Sequence, residues 1–156
     1  MFAFKGLHHV AISVPSLKAA KEFYVEKLGM IIADEAHIPP SDIGSKVLAL
    51  KNADCHIMML NAGNLFLEVF QFCSPTPKTQ KNRAVCDHGY THIAFEVEDI
   101  QLAYQYLKDA GVHWHHEPIE AGEGYMMTYG RDPFGNVIEI QQLVAGLPYS
   151  FDKLSF

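Results

Sequence analysis

Four residues in this chain have the side chains and the neighbours that metal chemistry needs. His9 in GLHHVAISV and His92 in GYTHIAFEV occupy the fourth position of two similar nonapeptides, while Glu68 in LFLEVF and Glu139 in NVIEIQ each sit among large apolar residues. Imidazole nitrogens and carboxylate oxygens together suit a borderline divalent cation. A carboxylate in so apolar a strand needs a compensating partner, because burying it alone costs several kcal/mol. A lone buried histidine is usually a satisfied core residue, and a lone strand glutamate usually faces water. Recurrence of both types at matching positions points to one shared site.

The elements around these residues repeat as well. In a strand, alternate residues share a face, so His9 points with Ala11 and Ser13, and His92 with Ala94 and Glu96; the branched residues between them turn the other way, toward a core. PSLKAAKEFYVEKLGM follows the first strand, with Ser16 as cap, Leu17, Ala20, Tyr24 and Leu28 at helical spacing, and Gly29 as stop. EDIQLAYQYLKDAGV follows the second, capped by Asp99, with Ile100, Ala103, Leu107 and Ala110 on one face and Gly111 as stop. Strand-like runs come next: MIIADEA, SKVLAL, HIMML and NLFLEVFQF in the first half, then VHWHHE, GYMMTYG and NVIEIQQL in the second. The first half is the longer, with its extra residues around HIPPSDIGSKVLAL. CSPTPKTQKNRAVCDH reads as a surface linker.

If the duplicated units pack about a pseudo-twofold axis, equivalent residues converge and His9, Glu68, His92 and Glu139 become the four ligands of one divalent ion. Four protein ligands on an octahedral metal leave two positions for water or for two neighbouring oxygens of a small-molecule substrate. Such an ion is a Lewis acid for the charge formed when a proton leaves the carbon beside a carbonyl. A glutamate that loosens from the metal is the expected proton carrier, Glu139 first and Glu68 as its partner. Ligand type leaves Ni, Co, Mn, Fe and Zn open. The reaction read from this set is an isomerisation, an epimerisation or a lyase reaction. A non-haem iron oxygenase would leave three positions free, and Glu68 fills one of them. A metal-free binding protein would not need the ligands at all.

These motifs resemble the vicinal-oxygen-chelate superfamily, which includes glyoxalase I, methylmalonyl-CoA epimerase, extradiol dioxygenases and the fosfomycin and bleomycin resistance proteins. The resemblance runs from LHHVAISV through EFYVEKLGM, LFLEVF and HGYTHIAFEVEDI to GRDPFGNVIEI. It implies an α+β fold, two βαβββ modules in tandem forming a curled mixed sheet around a metal site, in a single domain. Module 1 spans about 6–72, a linker 73–88, module 2 about 89–143 and a C-terminal tail 144–156. The family's ligand positions fall on His9, Glu68, His92 and Glu139, with His8 a bystander. This set is most similar to that of bacterial glyoxalase I and close to the epimerase. The first strand continues as VAISVPS where glyoxalases typically carry an arginine for glutathione, so the resemblance does not bring glutathione dependence with it. It implies a homodimer, to which Leu147, Tyr149, Phe151, Leu154 and Phe156 of the tail would contribute unless they cover a pocket.

Composition narrows the rest. With 156 residues, 49% of them hydrophobic, the chain suits one substantial core. A net charge of -6 gives no basic footprint for nucleic acid or an anionic membrane. The N-terminal residues lack the pattern of a secretory signal and no apolar run reaches membrane-spanning length, so the cytosol is the expected compartment. Cys55, Cys73 and Cys86 are odd in number and form no Cys-x-x-Cys, which reads as free thiols. His113, His115 and His116 in VHWHHEP suggest solvated imidazoles on an exposed strand before a second metal site. Met58, Met59, Met126 and Met127 read as core or pocket lining. Arg131 in GRDPFGN is a lesser candidate for an acidic substrate, since Asp132, Pro133 and Gly135 first serve the hairpin.

Overall fold

The structure is a computed structural model that describes residues 5–78 and 83–154. The chain divides into two compact units, Met1–Thr79 and Gln80–Phe156, each built on its own mixed sheet. Residues 79–82 of the expected linker and residues 155–156 of the tail lie outside the described residues.

In the first unit the chain order is β1 (His9–Ser13), α1 (Leu17–Ala20), β2 (Ile31–Ile38), α2 (Asp42–Leu48), β3 (Asp54–Asn61) and β4 (Phe66–Ser74). The sheet order is β1-β4-β3-β2, with β1 parallel to β4 and the other pairings antiparallel. Ser16 caps α1 as its sequence promises, its Oγ accepting from Ala19 N at 3.3 Å. Past Ala20 the helix widens into a π-type turn at Lys21–Val25, where Glu26 N donates to Lys21 O and Leu28 N to Phe23 O. Ala20, Phe23, Tyr24, Leu60, Leu67 and Val69 are buried together with Met58, which places that methionine in the core.

The run SKVLAL is not a strand. It lies mostly in α2, where Ser41 Oγ accepts from Gly44 N at 3.0 Å and Asp42 sits in the first turn. Ile43 and Val47, four residues apart and both exposed, form an apolar pair on the helix surface that imitates a strand's hydrophobicity.

The second unit contains β5 (Ile93–Glu96), α3 (Ile100–Asp109), β6 (His113–Trp114), β7 (Ile119–Gly122), β8 (Tyr125–Arg131) and β9 (Val137–Leu143), then a 3-10 turn at Phe151–Lys153. The sheet order is β5-β9-β8-β6, and β7 also pairs with β8. Asp99 caps α3 by accepting from Leu102 N at 3.0 Å. The buried Ile100 and Leu107 of α3 join Ile138 and Ile140 of β9 in the core. VHWHHE keeps only two residues in a strand, because Trp114 leans on α3: its ring stacks on Tyr104 and its Nε1 donates to Tyr104 O at 3.1 Å. The fold is thus α+β, with two mixed sheets and few helices, and no helix among the described residues is long and apolar enough to cross a membrane.

Candidate metal centre

Strand register brings each histidine to its glutamate. In the first unit Ala11 of β1 is paired with Glu68 of β4, and in the second Ala94 of β5 is paired with Glu139 of β9. Each histidine stands two residues before its alanine, so it shares the face of the glutamate and lies diagonally across from it. His9 Nε2 is 3.6 Å from Glu68 Oε2, and His92 Nε2 is 3.0 Å from Glu139 Oε2. The same nitrogen and the same kind of oxygen face each other in both units.

A second repeat secures these strands to the helices. Gln71 and Gln142 each follow a site glutamate by three positions, an odd offset that turns them to the opposite face of the strand. Gln71 Oε1 accepts from Leu17 N at 2.7 Å and Gln142 Oε1 accepts from Ile100 N at 2.9 Å, so each pins the first N–H of its helix.

The two pairs differ in their surroundings. Side-chain exposure is 42% for His9 and 16% for Glu68, against 26% for His92 and 4% for Glu139. Glu139 is enclosed by tyrosines: Tyr125 donates to its Oε1 at 2.9 Å, leaving Oε2 toward His92, and Tyr129 is its direct neighbour across β8 and β9. Burial, followed by hydrogen bonding with Glu139, pushes the Tyr129 hydroxyl up to about 12, and the same causes raise Tyr125 further above the usual phenol range. Both therefore stay protonated at neutral pH. The Tyr129 ring also meets His92 edge-on at 4.9 Å. Opposite Glu68 stands Met59, which has no hydroxyl to offer.

The remaining imidazole nitrogens are engaged. Thr91 Oγ1 lies 2.7 Å from His92 Nδ1, and His8 Nδ1 lies 2.9 Å from His9 Nδ1. A hydrogen bond at Nδ1 fixes the ring and leaves Nε2 to bind. His8 is thus a neighbour that orients His9. The donor set fits a divalent ion: in each unit an imidazole Nε2 and a carboxylate oxygen converge, with the other ring nitrogen already occupied. Among the described residues, no group of three or more His, Cys, Asp or Glu side chains is placed to hold a metal. The structure brings the four expected ligands together as two pairs, one in each unit.

Tyr125, Tyr129 and Thr91 escaped the sequence reading. The period of two in YMMTYGR places Tyr125, Tyr129 and Arg131 on one face, and the turn after Arg131 sets Tyr129 opposite Glu139, so the signal was there. His113, His115 and His116 are exposed. All three cysteines are free, Cys55 buried and Cys73 and Cys86 exposed.

Comparison with known proteins bears out the family that the motifs resemble. The sequence profile of the Glyoxalase/Bleomycin resistance protein/Dioxygenase superfamily matches residues 6–140. A 2-epi-5-epi-valiolone epimerase of an Actinomyces species is 31% identical over 155 residues, covering 92% of this chain and 82% of that protein. An ethylmalonyl-CoA/methylmalonyl-CoA epimerase of Cereibacter sphaeroides is 30% identical over 141 residues, covering 88% and 97%. The crystal structure of a glyoxalase family protein from Bacillus cereus superposes with a TM-score of 0.82 at 24% identity, covering 92% of this chain and 97% of that one, a likeness of fold.

Proposed function

Because the chain belongs to the glyoxalase/bleomycin resistance protein/dioxygenase superfamily, we propose that it is an isomerase of the epimerase type, with His9, Glu68, His92 and Glu139 as the ligands of one divalent metal. The observation that carries this reading is the identical register of the two His–Glu pairs. Epimerases among its relatives support the class of reaction. Its substrate is a small molecule with two neighbouring oxygens, one of them a carbonyl. The metal is Ni, Co, Mn, Fe or Zn, all compatible with this donor set.

A divalent ion held there would supply Lewis-acid stabilisation for negative charge developing on substrate oxygens. The chain's own residues do the remaining work. Epimerisation takes a proton from one face of a carbon and returns one to the other, a task suited to two groups, one acting as base and the other, in its protonated form, as acid. Glu139 and Glu68, contributed by separate units, are the two carboxylates available. Glu139 Oε1 is held by Tyr125, which leaves Oε2 as its reacting atom. Glu68, more exposed and opposite a methionine, is the freer of the two. The phenols of Tyr125 and Tyr129 wall this side of the site against water.

We also propose that the protein is a cytosolic homodimer; three free cysteines suit a reducing compartment. Light scattering at micromolar concentration is expected to give twice the mass of the chain, and a monomeric mass would refute the dimer. The reaction is tested in deuterium oxide with a panel of dicarbonyl and acyl-thioester probes. The carbon beside the carbonyl of a true substrate should acquire deuterium during turnover, and Glu139→Gln should suppress it. Oxygen consumption with Fe(II) and a catechol, without such exchange, would overturn the assignment.

A further inference from the structure

The chain has only two arginines, Arg83 and Arg131, and both line one small open cleft of the second unit, about 100 Å³ in volume, with Thr91, Asn136 and Val137. In a protein of net charge -6 each would be expected to find a carboxylate, yet neither takes part in an ion pair among the described residues. They are held by backbone carbonyls instead. Arg131 Nη1 donates to Gly135 O at 2.8 Å and its Nη2 to Arg83 O at 2.7 Å, while Arg83 Nη2 donates to Asp87 O at 3.1 Å and His88 O at 2.8 Å. A guanidinium has five N–H groups, so these bonds position both cations and leave donors over. Two cations that line one small cleft repel, and an anion bound in it relieves that repulsion.

The cleft adjoins the His92–Glu139 pair. Thr91, one of its walls, hydrogen-bonds His92 Nδ1, and Arg131 follows Tyr129 by two residues on the same face of β8. Fixed guanidinium groups beside a hydroxyl and an amide match the planar oxygens of a carboxylate or the oxygens of a phosphate. We propose that this cleft is an anion subsite, and that the substrate carries a carboxylate or phosphate group which Arg83 and Arg131 hold while its carbonyl end reaches His92 and Glu139. The second half of this statement rests on the proposed function; the anion site itself does not.

The test is calorimetric titration of the full-length protein with malonate and, separately, with inorganic phosphate, at constant ionic strength set by chloride. Saturable binding of one of the two is expected and tells which group the cleft prefers. Arg83→Gln and Arg131→Gln should each weaken it about tenfold or more, the loss of a charge-assisted hydrogen bond, with Arg131→Lys in between. Metal content should be unchanged in all three variants. Arg83→Gln touches only an exposed loop, so it remains informative if Arg131→Gln fails to fold. Glu68→Ala should bind the anion like the parent. If the parent holds no metal but binds anions through both arginines, the metal reading fails and the subsite stands. Absence of saturable binding of both anions, or undiminished binding in both glutamine variants, would overturn the proposal.

Discussion

Tyr125 is the residue on which the enclosed carboxylate of Glu139 depends. No buried side-chain nitrogen or oxygen among the described residues lacks a hydrogen-bond partner, and Tyr125→Phe would create one at Glu139 Oε1 while changing little in shape. Stability should fall by about 1–3 kcal/mol. The carboxylate would also be free to turn Oε2 away from His92, and loss of such a supporting contact typically weakens metal binding about 10–100-fold. Competition with a chelating dye measures the second effect and thermal unfolding the first; a variant with parental metal affinity would show that Tyr125 does not hold the ligand in place. The residues with chemistry of their own were legible in the sequence, because His9, Glu68, His92 and Glu139 repeat in type and position. Their supporting residues were less so, since His8 and Thr91 fill one repeated position with different residue types and Tyr125 reaches Glu139 from another strand.

At the scale of elements, the two units are built by one scheme: a histidine at the entrance of a strand, a capped helix, and a return strand whose glutamate faces the site while a glutamine three residues on turns back to the helix. Gln71→Leu or Gln142→Leu would leave a helix N–H without its acceptor, at a cost of about 1–3 kcal/mol each. The two losses should add, because the bonds lie in separate units and share no partner. Denaturant melts of the single and double variants measure this, and unaltered midpoints would mean that the glutamines merely accompany the capping by Ser16 and Asp99. Most strands and the helices capped by Ser16 and Asp99 could be read from periodicity. The α2 segment could not, because Ile43, Val47 and Leu48 give an apolar run without burying a face, and apolarity alone cannot tell a short helix from a strand. Nor could β7 be foreseen: all four of its residues are exposed, so burial imposes no alternation on them.

For the molecule as a whole, the account stands or falls on whether two preformed His–Glu pairs serve one metal. Each pair already brings an Nε2 and a carboxylate oxygen within 3.6 Å of each other in its own unit. Elemental analysis of the purified protein, beside His9→Ala, Glu68→Ala, His92→Ala and Glu139→Ala, tests the claim most directly. One divalent ion per chain is expected in the parent, with tight binding lost in every variant and the circular dichroism of the fold retained. Unchanged metal content in folded His92→Ala and Glu139→Ala, or a parent that takes up no divalent ion when supplied with one, would contradict it.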